Sequence, residues 1–224
     1  MKQIIAFFLV FIFNLVPTSL RADELALAVQ HIESEWARIY YSVAKELQDK
    51  EFKQLLSEVT ALNAQHPKQA ELIIQQAIIV ATNADNVGAF SALEAIHEAR
   101  DLLVQAIELN PKASQGAAFV TLGALYYRVP AWPIAYGDKD KAQKLLETAL
   151  AINANTIDAN YYYADFLASQ GKPQQARKYF NRAIAIPVRE TQVLADTQLQ
   201  KQAKLALNKH EQKERKQDCS LAAN

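Results

Sequence analysis

Two neighbouring segments of the chain repeat one pattern of small and large apolar residues, and this repeat limits the fold more than any other feature. Each copy has a small residue in its first half, Gly123 or Ala164, and an alanine in its second half, Ala142 or Ala176. The two alanines lie 34 residues apart. Small residues at this spacing let two helices pack closely against each other, so each copy predicts a helical hairpin. A single hairpin cannot bury its apolar face, so the hairpins must stack.

The period and the residues are those of the tetratricopeptide repeat (TPR), whose first helix reads W-x₂-L-G-x₂-Y. In the first copy these positions hold Phe119, Leu122, Gly123 and Tyr126. The sequence therefore predicts an all-α fold, a TPR-like solenoid of helical hairpins with a C-terminal capping helix. The second copy continues with Asn160, Tyr163, Ala164, Leu167, Gly171, Ala176, Phe180, Ala183 and Pro187.

The same signals divide the chain into four parts. Residues 1–22 are predicted as a signal peptide, 23–187 as helical repeats, 188–217 as a C-terminal helix and 218–224 as a disordered tail. Among the repeats, 23–66 forms a degenerate capping hairpin, 67–111 and 112–154 form hairpins with long loops, and 155–187 is a regular TPR. One long loop falls at 129–138, where Pro130 and Pro133 end a helix and Asp138 is placed to cap the next one.

The N-terminal segment has the features of a secretory signal. Lys2 supplies positive charge, an apolar run follows over 4–13, and Ala22 is a small residue suited to cleavage. The run is shorter than the roughly 20 residues of a membrane span. We therefore expect a periplasmic or secreted protein cleaved after Ala22, with an uncleaved N-terminal anchor as the alternative. No segment after the signal is long and apolar enough to be predicted as transmembrane.

Composition and motifs argue against several function classes. The 24 basic residues balance the 24 acidic ones, which argues against a nucleic-acid partner. The four histidines are scattered, and no zinc-binding, Walker or nucleophile-elbow motif occurs. Asp158 and Asp165 lie seven residues apart, on one face of a helix, but such a pair more often caps a helix and bonds a loop than performs acid–base chemistry. We expect no catalytic residue, no cofactor and no metal, and a protein that is not an enzyme.

Six residues are candidates for binding a partner. Tyrosine and tryptophan are frequent at interfaces, and arginine binds carboxylates or phosphates through two hydrogen bonds. Structural alternatives exist for two of them: Trp132 and the prolines fold back to plug the hairpin, and Arg128 pairs with Asp165 or Asp138. The candidates are Tyr127, Arg128, Trp132, Tyr136, Tyr161 and Asp165. In the TPR register, Tyr127, Arg128, Tyr161 and Asp165 are expected on or near the concave side.

The loop and the helix that follows it resemble a group of exported bacterial TPR proteins. Residues 129–138, VPAWPIAYGD, are similar to a loop of the form V-P-G-W-P-I-G-F-G-D in that group, with Ala131 and Ala135 in place of glycines. Residues 158–167, DANYYYADFL, are similar to D-x-N-Y-F-Y-G-D-F-L. The resemblance implies a TPR fold and export, and it assigns no activity. A more distant likeness is to the TPR subunit of TRAP transporters, a lipoprotein, although this chain lacks a cysteine near its signal.

These observations predict an exported scaffold or adaptor that binds a protein or peptide in the cell envelope. The concave surface and loop 129–138 are the expected contact region. The alternative is a small-molecule carrier or transporter accessory subunit with an enclosed aromatic pocket. A sealed cavity lined by tyrosines favours the carrier, whereas an open groove favours a protein partner.

Overall fold

A computed structural model describes residues 18–222 of the chain, with the side chains of 23–209. Within this range the chain folds into nine α-helices and no β-strand, which confirms the predicted all-α class. Residues 1–17 of the predicted signal peptide lie outside the described residues, and residues 18–22 belong to the start of the first helix. In chain order the helices are α1 (Thr18–Ser42), α2 (Lys45–Gln65), α3 (Ala70–Asn83), α4 (Ala89–Leu109), α5 (Ala117–Arg128), α6 (Lys139–Ile152), α7 (Ile157–Ser169), α8 (Pro173–Ala185) and α9 (Val193–Ala222).

Consecutive helices pair into four hairpins, and α9 covers the last one. The pairs are α1 with α2, α3 with α4, α5 with α6, and α7 with α8, while α9 packs on both α7 and α8. Over the part of the chain that the structure describes, no helix has the length and apolar character needed to cross a membrane. The arrangement is a TPR-like solenoid with a C-terminal capping helix.

Small residues set the close approach of the paired helices, as the repeat pattern predicts. A Cβ atom added to Gly123 of α5 would lie 2.7 Å from Cγ of Leu146 in α6. Ala142 and Ala176 are fully buried at the corresponding contacts of α6 and α8. Any larger residue at these positions would push the two helices of its hairpin apart.

The break between α1 and α2 comes earlier than the apolar spacing predicts. That spacing favours one helix over 23–47, but α1 ends at Ser42 and α2 begins at Lys45. The side-chain amide of buried Gln48 donates hydrogen bonds to the carbonyl oxygens of Ile39, Tyr40 and Val43, at 3.1–3.2 Å. These carbonyls belong to the last turn of α1 and the residue after it, where carbonyl groups run out of intrahelical donors, and the carbonyl of Ile39 also accepts from the backbone N–H of Val43 at 3.3 Å. The side chain of Gln48 in α2 therefore caps the C-terminal end of α1.

Two other boundaries differ from the prediction. The hairpin at 67–111 has no long loop, because a short 3₁₀ turn at Ala84–Asn86 follows α3 and the additional residues lengthen α4 to 21 residues. The capping helix continues past the predicted boundary at 217 to Ala222. Residues 223–224 of the predicted disordered tail lie outside the described residues.

The first and last helices meet, so the solenoid curves round until its two ends touch. Helix α1 packs against α3 as well as α9. The carboxylate of Glu33 in α1 accepts a hydrogen bond from Gln75 of α3 at 3.0 Å and one from Gln192, just before α9, at 2.6 Å. Glu33 and Gln192 are 159 residues apart in the sequence. This contact closes one side of the concave surface.

Candidate binding groove

The concave side of the solenoid encloses a groove of about 1290 Å³ that is partly open to solvent. Its walls come from α1, α3, α4 and α5, and α7 and the start of α9 complete it. Pockets for small molecules usually measure roughly 300–1,000 Å³, so this groove holds more than a small ligand needs. The aromatic and acidic residues of its lining include Glu33, Trp36, Tyr40, Tyr41, Asp158 and Tyr162.

Three aromatic residues of α1 form one wall of the groove. The rings of Trp36 and Tyr40 stack with centroids 5.3 Å apart, and Tyr41 stands edge-on to both. The indole N–H of Trp36 donates to the Thr82 hydroxyl at 3.0 Å, which fixes the wall to α3. Burial raises the pKa of the Tyr41 phenol above its ordinary value. In the sequence, the helical spacing of Trp36 is typical of a core residue. Its position in the groove wall becomes evident only from the three-dimensional structure.

A cluster of charged side chains lies where α1, α7 and the start of α9 meet. Arg189 donates to the fully buried carboxylate of Asp196 through Nε at 2.9 Å, Nη2 at 2.5 Å and its backbone N–H at 2.9 Å. Burial raises the pKa of the Glu33 carboxyl, and the charge of Asp158 acts in the same direction. The Oδ1 atom of Asp158 is buried and has no hydrogen-bond partner among the described residues. Across those same residues, no three His, Cys, Asp or Glu side chains are grouped so as to hold a metal ion.

The structure brings three of the six predicted binding residues together. Oδ2 of Asp165 accepts hydrogen bonds from the Tyr127 hydroxyl at 2.6 Å and from Nη2 of Arg128 at 2.7 Å. The guanidinium of Arg128 also lies over the ring of Tyr162, 5.1 Å from its centroid. The ion-pair alternative for Arg128 is therefore the one that the structure contains. Arg128 lines the groove, but its positive charge is already paired with the carboxylate of Asp165.

Tyr161 lies in the core, not on the groove wall. Its ring is buried and tilted against Phe180, with centroids 5.9 Å apart. The next residue, Tyr162, lines the groove instead. Successive side chains on a helix point about 100° apart. A prediction of the concave face that is off by one residue therefore selects Tyr161 in place of Tyr162. The run of three tyrosines at 161–163 gave no local signal to decide between them.

The remaining two candidates, both in loop 129–138, have opposite environments. The Tyr136 hydroxyl donates to the carbonyl of Ile96 at 2.6 Å, and its ring stands edge-on to Tyr126. Trp132 is 85% exposed, and Ile134 beside it is 64% exposed. Tyr136 therefore anchors the loop to α4, while Trp132 does not fold back to plug the hairpin. Whether either residue contacts a partner stays a prediction.

Gly137 is the residue that lets this loop close. Its N–H donates to the carbonyl of Pro130 at 2.9 Å, and a Cβ at this position would lie 2.9 Å from the carbonyl carbon of Pro130 and closer still to the carbonyl oxygen of Val129. Because these are backbone atoms, Gly137→Ala should lower the free energy of unfolding by about 1–3 kcal/mol, measured by urea denaturation. Gly88→Ala is the matched control, since nothing lies within 4 Å of its added Cβ. Equal effects of the two substitutions would contradict a tightly closed loop.

Comparison with known proteins agrees with this architecture. Residues 134–195 match the family model described as tetratricopeptide repeat. The fold is similar to the crystal structure of TTC0263, a thermophilic TPR protein in Thermus thermophilus, with a TM-score of 0.54 and 17% identity over 85% of this chain and 95% of that one. A looser likeness is to the crystal structure of MamA, with a TM-score of 0.44 and 18% identity over 78% and 95% of the two chains. No curated protein sequence matches the chain.

Residues 134–195 thus match the tetratricopeptide repeat, within a chain that folds as a TPR-like helical solenoid. The matched residues run from the end of loop 129–138 through α6, α7 and α8 to the start of α9. They include the second copy of the repeat, in which the pattern of small and large residues is most complete.

Proposed function

We propose that this protein is an exported scaffold or adaptor that binds a peptide segment of a partner protein in its concave groove. The observation that carries the proposal is the groove itself, which measures about 1290 Å³, is lined by aromatic side chains and is partly open to solvent. TPR-type solenoids use extended concave surfaces of this kind for binding. Export to the envelope rests on the sequence pattern of residues 1–22. The role is one of binding, without catalysis.

Exposed apolar residues mark where a partner would enter. Phe90 and Ile134 line the mouth of the groove, where they are 75% and 64% exposed, and Trp132 projects from the same loop as Ile134. Loop 129–138 is held to α4 by Tyr136, so these side chains are presented on a fixed backbone. Apolar residues clustered at the surface of a soluble protein usually mark an interaction site. This rim therefore supports a protein partner.

The aromatic wall supports a second candidate, a small-molecule carrier. Trp36, Tyr40, Tyr41 and Tyr162 together offer the mostly apolar lining with a few polar groups that small ligands require. The opening to solvent and the size of the groove favour the peptide instead. Unfolding the purified protein distinguishes the two candidates, because a carrier would release a small molecule whereas an adaptor would release a protein or peptide.

The test is to crosslink the tagged chain in the envelope fraction and identify what co-purifies by mass spectrometry. Trp132→Ala combined with Ile134→Ala should lower recovery of the dominant partner at least about tenfold, since truncating a hot-spot residue costs about 2 kcal/mol or more. The melting temperature should change little, because both side chains are exposed. The intact mass of the recovered chain shows in the same experiment whether cleavage follows Ala22.

The matched control removes two apolar side chains of similar exposure outside the groove. Leu47 and Leu205 are 55% and 59% exposed and do not line it. Leu47→Ala with Leu205→Ala should leave partner recovery unchanged. Equal recovery from all variants would contradict binding at the rim. A small molecule released on denaturation, with no protein captured, would establish the carrier instead.

A further inference from the structure

We propose that the groove selects peptides carrying a positive charge, which the carboxylates of Asp158 and Glu33 receive at the end where α1, α7 and α9 meet. The charged group is the side chain of a lysine or arginine, with apolar neighbours that lie along the aromatic wall. The inference rests on the proposed function, because it names the chemistry of the peptide that the groove would hold.

The two arginines that line the groove cannot neutralise these carboxylates fully. Arg128 is engaged by Asp165, and Arg189 is engaged by Asp196 through three hydrogen bonds. At the end of the groove where α1, α7 and α9 meet, the carboxylates of Glu33, Asp158 and Asp196 lie around one guanidinium, that of Arg189. Glu190, which also lines the groove, adds a further carboxylate, so acidic groups outnumber basic ones there and this end is complementary to a cationic ligand.

Asp158 is the carboxylate of which one oxygen is left without a hydrogen bond by the described chain. Both oxygens of Glu33 already accept hydrogen bonds, one from Gln75 and one from Gln192. Oδ1 of Asp158 is buried and accepts none from the described chain, although most buried polar atoms in proteins have a partner. Asp158 lines the groove, so a donor arriving with a peptide can approach this carboxylate.

The surrounding aromatic residues suit a cation better than an anion or a neutral group. Tyr162 follows Asp158 by one helical turn, so the two lie on one face of α7. Its ring already holds the guanidinium of Arg128 at 5.1 Å, which shows that this position accepts a positive charge over an aromatic ring. An acidic peptide would be repelled by Asp158 and Glu33, and a neutral one would leave their negative charge without a compensating positive charge. The groove is large enough in volume to hold the residues on either side of the charge.

The test is selection from a displayed library of random nine-residue peptides on the purified chain. Wild type should enrich peptides with lysine or arginine at one position, and Asp158→Asn should weaken binding of the selected peptides at least about tenfold. Asp85→Asn is the matched control. Asp85 also lines the groove, but it lies just after the C-terminal end of α3 and is not part of the charged cluster of α1, α7 and α9. This variant should keep the wild-type preference. Melting curves establish that all three proteins are folded.

A second measurement does not depend on any variant folding. The best selected peptide is resynthesised with norleucine in place of its basic residue and titrated against wild type, where we expect at least about tenfold weaker binding. Enriched peptides without a basic position, or an unchanged preference in Asp158→Asn, would overturn the inference while leaving the groove as a peptide site. Enrichment of no peptide by wild type would instead contradict the proposed function itself.

Discussion

Arg189→Ala is expected to lower the free energy of unfolding by about 3–5 kcal/mol, because it leaves a buried carboxylate without its charge partner. The side chain of Asp196 is 0% exposed, and the guanidinium of Arg189 supplies two of the three hydrogen bonds that it receives from that residue. The remaining donor is the backbone N–H. The pair joins the segment before α9 to the first turn of α9, so its loss should loosen the capping helix first.

Urea denaturation at neutral pH measures this effect, and Arg38→Ala is the matched control. Arg38 pairs with Glu35 and Glu51 but is 44% exposed, so its removal should cost about 1 kcal/mol or less. Replacing both partners, Arg189→Met with Asp196→Leu, should recover part of the lost stability because the buried Asp196 carboxylate is no longer present. A cost for Arg189→Ala no larger than that of Arg38→Ala would show that Asp196 finds another donor.

Phe180→Ala should also lower the free energy of unfolding by about 3–5 kcal/mol, through the cavity that it opens. Phe180 is 1% exposed and lies in the core shared by α7, α8 and α9. In a solenoid each repeat is stabilised by its neighbours, so damage to the last repeat should spread to the cap before it reaches α1 and α2. Hydrogen exchange resolved along the chain would show whether protection is lost first in α7, α8 and α9.

The matched control for this core substitution is Leu205→Ala in α9. Leu205 is largely exposed, so its truncation should change stability by no more than about 0.5 kcal/mol. If Phe180→Ala were as mild as Leu205→Ala, the last hairpin would have to close around the missing ring. Uniform loss of protection over the whole chain would contradict stepwise unfolding.

The hairpins were predictable from the sequence because the information for them is local. Gly123, Ala142 and Ala176 lie at helix contacts that a 34-residue period is sufficient to reveal. Asp138 was predicted to cap a helix, and its carboxylate accepts from the backbone N–H of Lys141 at 3.0 Å. Each of these features depends on residues within one repeat or on contacts between the two helices of one hairpin.

The groove was not predictable in the same way, because its lining comes from distant parts of the chain. Whether Trp36 or Tyr162 faces the groove depends on the curvature of the solenoid, which accumulates from small rotations between repeats. No local pattern relates Glu33 to Gln192, yet their hydrogen bond joins the two ends. The distinction between exposed Trp132 and anchored Tyr136 likewise depends on where α4 lies beside the loop.

The meeting of α1 and α9 has a consequence for the order in which the protein becomes functional. One side of the charged end of the groove is supplied by Glu33, and the opposite side is supplied by residues 189–196. A chain that emerges with its N-terminus first displays Glu33 long before the residues that complete the site have been made. The groove is therefore complete only once the last helix has been made, and a shorter chain lacks its charged end.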